Sequence, residues 1–339
     1  MKKFLAKIVL FIGICGLLTV LPCVIIDPYN VFHWSNVREN GVEPNKNYIK
    51  VKYILANPDK FESLLFGSSR AGVIHVENIE DEKCYNMSYS EGIPHEYLDN
   101  LKTLTENGVN IKKVYISIDS LAYTLAPEQH YYEMRYPYEK LDLVTFCKTY
   151  LRPNMVFDSL DTIFETRNTR TENYSNTFYE YGWWCDYGVE TLTEEDVPGL
   201  IPYIGYDYCF EEALEDIRQI KELCEENGIE AVFFTNPMQE VTYKESVDND
   251  YYEFLEAVAE ITDYWNFSCL NDITTGLDYY FDSSHYIPEI GDTIMETVNG
   301  KTHLNEDLVA TGFGYYTTKD TVKNLIKILE SQYTADTEE

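Results

Sequence analysis

The chain has 339 residues, and its 26 Lys and Arg stand against 58 Asp and Glu, a formal charge of −32. That balance excludes holding nucleic acid or another polyanion by general electrostatics, which depends on phosphate neutralisation by basic side chains. Hydrophobic residues at 45% and aromatic residues at 15%, with 30 Tyr, exclude a disordered chain and supply a sizeable core.

The first predicted element is membrane-spanning. Lys2, Lys3 and Lys7 precede an uncharged run from Ile8 to Ile26. Nineteen residues at a helical rise cover roughly 28 Å, close to the apolar thickness of a bilayer. A cleaved signal peptide shares the basic start and apolar run, but no small-x-small cleavage site follows: the exit reads Leu21-Pro22-Cys23-Val24-Ile25-Ile26-Asp27. The expectation is an uncleaved anchor over residues 1–27 with its lysines in the cytoplasm. Either reading places the chain from Asp27 onward outside. There disulfides are permitted, and the six cysteines beyond the apolar run allow 15 pairings. Cys185 and Cys209, in loop-like sequence, are the favoured pair if one forms.

Five short apolar runs then read as strands: Ser63–Phe66, Cys84–Met87, Val114–Ile118, Ala231–Thr235 and Tyr264–Leu270. Several are continuously apolar, as in parallel strands covered on both faces. Helical patterns fall at His95–Glu106, Phe210–Asn227, Tyr251–Ile261, Ile287–Val298 and Thr321–Leu329. The alternation predicts an α/β layer around a parallel sheet of about five strands. One extracytoplasmic domain over residues 28–330 is expected, with a polar, frayed tail over 331–339. The stretch 121–208 is too long for a simple crossover and is rich in Tyr and Trp. It reads as an insertion packed over an edge or the top of the sheet.

Two short blocks carry chemistry. The first strand runs into Gly67-Ser68-Ser69-Arg70. Ligands of open parallel sheets bind outside the carboxyl ends of strands, so a serine there is placed to be a nucleophile. The second block is Asp282-Ser283-Ser284-His285. A serine needs a base to take its proton, and a histidine needs a carboxylate to hold its tautomer. Of the six His, His285 alone has Asp three positions earlier. Each block alone has an ordinary reading, a turn or a chance match.

Taken together, Gly-x-Ser after the first strand and Asp-x-x-His after the last resemble the SGNH/GDSL hydrolase superfamily. Behind a single anchor, the Gly-Ser-Ser form is similar to the D-alanyl transfer protein type and to SGNH-like proteins of surface-polysaccharide O-acetylation. The resemblance covers roughly residues 63–298 without the insertion. It implies a flavodoxin-like three-layer sandwich and a triad of Ser69, His285 and Asp282. It implies no cofactor. Its middle blocks depart from the family pattern. Ser88 or Gly92 stands where a glycine N–H normally faces the oxyanion, and Asp119 stands where an Asn side chain is expected. An ionised Asp cannot donate a hydrogen bond. Arg70 offers substitute positive charge, or pairs with a sheet-end carboxylate. Asn236, after the fourth strand, is a further polar group at the same edge.

Two functions follow. One is a serine-dependent acyl-ester enzyme, transferase or esterase, acting on a cell-surface glycan, with a multi-spanning membrane acyltransferase as a candidate partner. The charge favours a neutral glycan over an anionic polymer. The other is an inactive carbohydrate-binding or scaffold protein of the same fold, suggested by Asp119. The sequence carries no metal-binding motif and no nucleotide-binding glycine loop, which disfavours metal, nucleotide and nuclease chemistry.

Overall fold

A computed structural model describes residues 2–166, 178–182 and 190–337, with side chains through Thr334. Its centre is one six-stranded sheet of β1 (Ser63–Phe66), β2 (Cys84–Asn86), β3 (Lys113–Ile118), β4 (Glu230–Thr235), β5 (Tyr264–Asn266) and β6 (Tyr315–Thr317). The order across the sheet is β2-β1-β3-β4-β5-β6. The five predicted strands are all present and parallel. The sixth was not predicted and runs antiparallel to β5 at the edge. β1 is buried at every position, because helices and turns cover both faces of a central parallel strand.

The longer helices are α1 (Lys2–Ile26), α2 (Lys46–Ala56), α3 (Pro94–Glu106), α4 (Leu143–Tyr150), α5 (Pro153–Thr166), α6 (Phe210–Asn227), α7 (Glu240–Val247), α8 (Tyr251–Ala259), α9 (Pro288–Val298) and α10 (Val322–Thr337). α6 follows its pattern closely. Ala213, Leu214, Ile217, Ile220 and Cys224 form its buried stripe, and Gly228 closes it at φ 66°. α3 packs on α6, α6 on α8, and α8 on α10, giving one continuous helical layer. α9 packs instead against the turn that leaves β1. α10 continues through Thr337, past the start of the expected tail at Ser331.

α1 is long and apolar enough to cross a membrane, and a signal sequence would pass the same test. Cys23 is its buried residue. A second, smaller core gathers Cys23 with Val31, Val37, Tyr48, Ile49, Tyr150, Met155, Val156 and Phe178. The insertion therefore shares its core with the segment that follows α1. It also lies against the β2 edge, where Tyr181 O accepts from Asn86 N at 2.7 Å and Phe178 O from the Tyr85 hydroxyl at 2.9 Å. Cys185, Trp183, Trp184 and Tyr187 lie outside the described residues. Cys209 forms no disulfide with any described cysteine.

The sheet order brings the ends of β1 and β3 side by side, while the chain leaves β1 toward β2 and β3 toward β4 on the other side. Such a reversal opens a crevice at the carboxyl edge. Gly67–Arg70 follow β1, Met87–Gly92 follow β2, Asp119 follows β3 and Asn236 follows β4, all at that edge.

Candidate active site

The turn after β1 is built by its own residues. Gly67 is required by close packing: a Cβ there would stand 2.5 Å from Ala71 Cβ and 2.6 Å from Ser117 Oγ. Ser68 caps a short 3-10 turn, Ser69–Val73, by accepting from Arg70 N, and its hydroxyl donates to Asp119 Oδ2 at 3.0 Å. Ser68 is thereby turned toward the sheet end, and the next hydroxyl points the other way.

That next hydroxyl meets the second block. Ser69 Oγ lies 2.8 Å from His285 Nε2, and His285 Nδ1 lies 2.8 Å from Asp282 Oδ2. The loop carrying the pair is pinned on both sides. Tyr280 and Tyr286 form an antiparallel bridge, and Phe281 N donates to His285 O at 2.9 Å. Asp282 Oδ1 accepts from Ser284 N at 2.7 Å and His285 N at 2.8 Å, the local turn that aspartate favours. One carboxylate thus folds the loop with one oxygen and orients the imidazole with the other. Burial works against the Asp282 charge. The hydrogen bond and charge of His285, with the two main-chain N–H groups, outweigh it and hold the carboxyl below its usual range. Ionised Asp282 makes Nδ1 the protonated nitrogen, which leaves Nε2 free to accept from Ser69.

Arg70 is completely buried and spends each of its groups inside the protein. Nη1 forms an ion pair with Asp119 Oδ1 at 2.9 Å. Nε donates to Ser284 Oγ at 3.1 Å and Nη2 to Tyr203 O at 2.8 Å. Tyr203 N in turn donates to Thr242 Oγ1 and Thr242 Oγ1 to Ser283 O. The end of the insertion is thereby laced to the His285 loop, and Ser69 is left only 6% exposed.

Asp119 accepts from Ser68 Oγ, Leu121 N and Asn236 Nδ2 in addition to facing Arg70. It is a structural counter-ion and supplies no donor. Asn236 is similarly engaged, donating to Ser117 Oγ and accepting from the Tyr286 hydroxyl. Ser88 N is taken by Asn86 Oδ1 and Gly92 N by Tyr89 O. Gly92 is needed for space, since a Cβ would stand 2.5 Å from Gly67 O. The structure thus brings Ser69, His285 and Asp282 together, and commits the donors of Arg70, Ser88 N, Gly92 N and Asn236 elsewhere. Ser69 N meets no acceptor among the described residues and lies beside its own hydroxyl.

Three residues escaped sequence reasoning. Lys50 is fully buried in α2, and its Nζ donates to Asn86 O and Ser88 O. It holds the loop after β2, and three lysines within α2 disguise the helix. Ser284 and Thr242 fasten the His285 loop through contacts that no local motif announces. Among the described residues no group of three His, Cys, Asp or Glu side chains is placed to hold a metal ion.

The protein is of mixed α/β class, with a hydrogen-bonded Ser–His–Asp array at the carboxyl edge of a mostly parallel sheet. No known family model matches the chain, and no curated protein matches it.

Proposed function

We propose that this is a membrane-anchored serine acyl-ester enzyme of the SGNH/GDSL type, with a flavodoxin-like arrangement of its parallel strands. It acts as an O-acyltransferase or O-acyl esterase on a cell-surface glycan, with α1 as the anchor and the sheet domain outside the cell. The observation that carries the reading is the unbroken relay from Ser69 Oγ through His285 to Asp282, each contact 2.8 Å long.

The chemistry follows from the relay. Ser69 Oγ attacks the acyl carbonyl as His285 Nε2 takes its proton, and Asp282 stabilises the imidazolium. The tetrahedral intermediate collapses, and the leaving alkoxide receives that proton from His285. Water or a sugar hydroxyl then gives a proton to Nε2 and attacks the acyl-serine, and collapse of this second intermediate breaks the Ser69 Oγ–acyl bond as Nε2 returns the proton to Ser69 Oγ. Ser69 N–H, beside the nucleophile, is the donor available to the developing oxyanion. The low exposure of Ser69 and the lacing of the insertion to the His285 loop favour transfer over hydrolysis, because excluding water protects the acyl-enzyme. A multi-spanning membrane acyltransferase fits as donor of the acyl group, and the acidic surface favours a neutral glycan as acceptor.

One observation favours a second reading, a catalytically silent glycan-binding or scaffold protein: Asp119 is locked to Arg70 where an oxyanion donor is expected. A fluorophosphonate probe applied to the detergent-solubilised chain separates the two. The enzyme reading expects labelling that Ser69→Ala abolishes and Ser68→Ala retains. A folded chain without labelling supports the silent reading, and loss in Ser68→Ala alone moves the nucleophile by one residue.

A further inference from the structure

We propose a second membrane contact: α4 and α5 of the insertion lie in the outer headgroup region of the bilayer and hold the sheet domain against the membrane at a fixed attitude. The inference rests on the reading of α1 as a membrane span.

The exposed apolar residues of this helix pair are large and clustered. Leu143 is 78% exposed, Val144 58%, Phe157 69% and Phe164 62%. On α5 the two Phe are seven residues apart and so share one face. At 100° per residue, Asp158, Asp161 and Glu165 fall together on its flank, while Met155, Val156 and Ser159 face the protein. The helix thus has an inner apolar face, an outer apolar face and an acidic strip. A helix that only covers a core needs the inner face alone.

Position identifies the occupant. α5 packs against α1. The covered part of α1 is its outward end, where Cys23 enters the small core with Tyr150, Met155 and Val156. The remainder of α1 is bare. A helix fixed to the last turns of a membrane span sits at the depth of the headgroups, so its outer face is continuous with the lipid-facing surface of α1. Aromatic side chains at that depth are characteristic of interfacial helices. Lys148 and Arg152 are exposed at the α4–α5 joint and can reach lipid phosphates with their long stems. The pair carries two basic residues against the three acids of α5 and Asp142, so apolar insertion rather than charge drives the contact.

The test places the photo-crosslinker p-benzoylphenylalanine at single positions in the full chain, reconstituted in phosphatidylcholine vesicles. Positions 157 and 164 probe the contact. Leu17 in α1 is the positive control, and Tyr316, exposed on the opposite sheet edge, is the negative one. Lipid adducts at 157 and 164 are expected at a yield comparable to that at Leu17 and about tenfold above Tyr316. Adding anionic lipid should leave that ratio unchanged. Adducts at Leu17 without adducts at 157 and 164, or adducts there to a second protein chain, overturn the proposal. Absence of adducts at Leu17 overturns the anchor reading instead.

Discussion

A fully buried guanidinium beside a buried carboxylate holds the carboxyl edge of the sheet together. Desolvating two charges is costly, and the cost is met only when each is paired and hydrogen-bonded. Arg70 and Asp119 pair with each other and are hydrogen-bonded by Ser284, Tyr203, Ser68, Leu121 and Asn236, the Nη1–Oδ1 contact itself being an ion pair without hydrogen-bond geometry. Removing one partner strands the other. Asp119→Asn and Arg70→Met should each lower the unfolding free energy by about 3–5 kcal/mol, and the double variant should lose less than the sum. Urea titration of the solubilised chain checks this; additive losses would mean the two side chains act independently. The pairing also explains why Asp stands at position 119. An Asn there would leave Arg70 without a counter-ion.

Between elements, Glu43 joins three parts of the chain. It accepts from Lys46 at the start of α2 at 2.9 Å and from Ser90 in the loop after β2, and it feels the charge of Arg135 in the insertion. Its side chain is 41% exposed, and these partners outweigh its partial desolvation and draw its pKa down to about 2. A carboxyl whose folded pKa lies below its unfolded value contributes stability above the unfolded value, and loses it as pH falls toward the folded one. Glu43→Gln should therefore lower the melting temperature at pH 7, and the deficit should shrink between about pH 4.5 and 2. A deficit that persists unchanged at pH 3 would place the stabilisation in packing rather than charge. The same elements show what local pattern conceals. β1 and α6 match their predicted bounds because each satisfies one periodicity by itself. α2 went unpredicted, since Lys46, Lys50 and Lys52 interrupt its apolar run, and the buried Lys50 ammonium is held by Asn86 O at the end of β2 and Ser88 O just beyond it. β6 is three residues long and exists through its pairing with β5.

For the whole molecule, the charge of −32 and the divided core set the conditions of access. An acidic domain repels anionic substrates over about a Debye length, and salt relieves the repulsion. If the acyl-ester reading holds, kcat/KM for an anionic acyl ester should rise with ionic strength while that for a neutral one stays level. Equal salt responses would show that the charge does not reach the site. The relay residues were legible because Asp282-x-x-His285 is a local turn and Ser69 sits at a strand exit. The Arg70 network was not, since Arg70 and Ser284 are 214 positions apart and only the folded sheet edge brings them together. Nor was the second core, which depends on α1, α2 and the insertion meeting in space.

The proposed function stands on Ser69 being the group that takes the acyl chain. Its most direct measurement is to treat the solubilised full chain with an activated acyl ester, quench it in acid, and locate the acyl mass by peptide sequencing in a mass spectrometer. One stoichiometric adduct on Ser69 is expected, lost in His285→Ala. An adduct on Ser68 or any other residue, or a correctly folded chain that carries none, would contradict it.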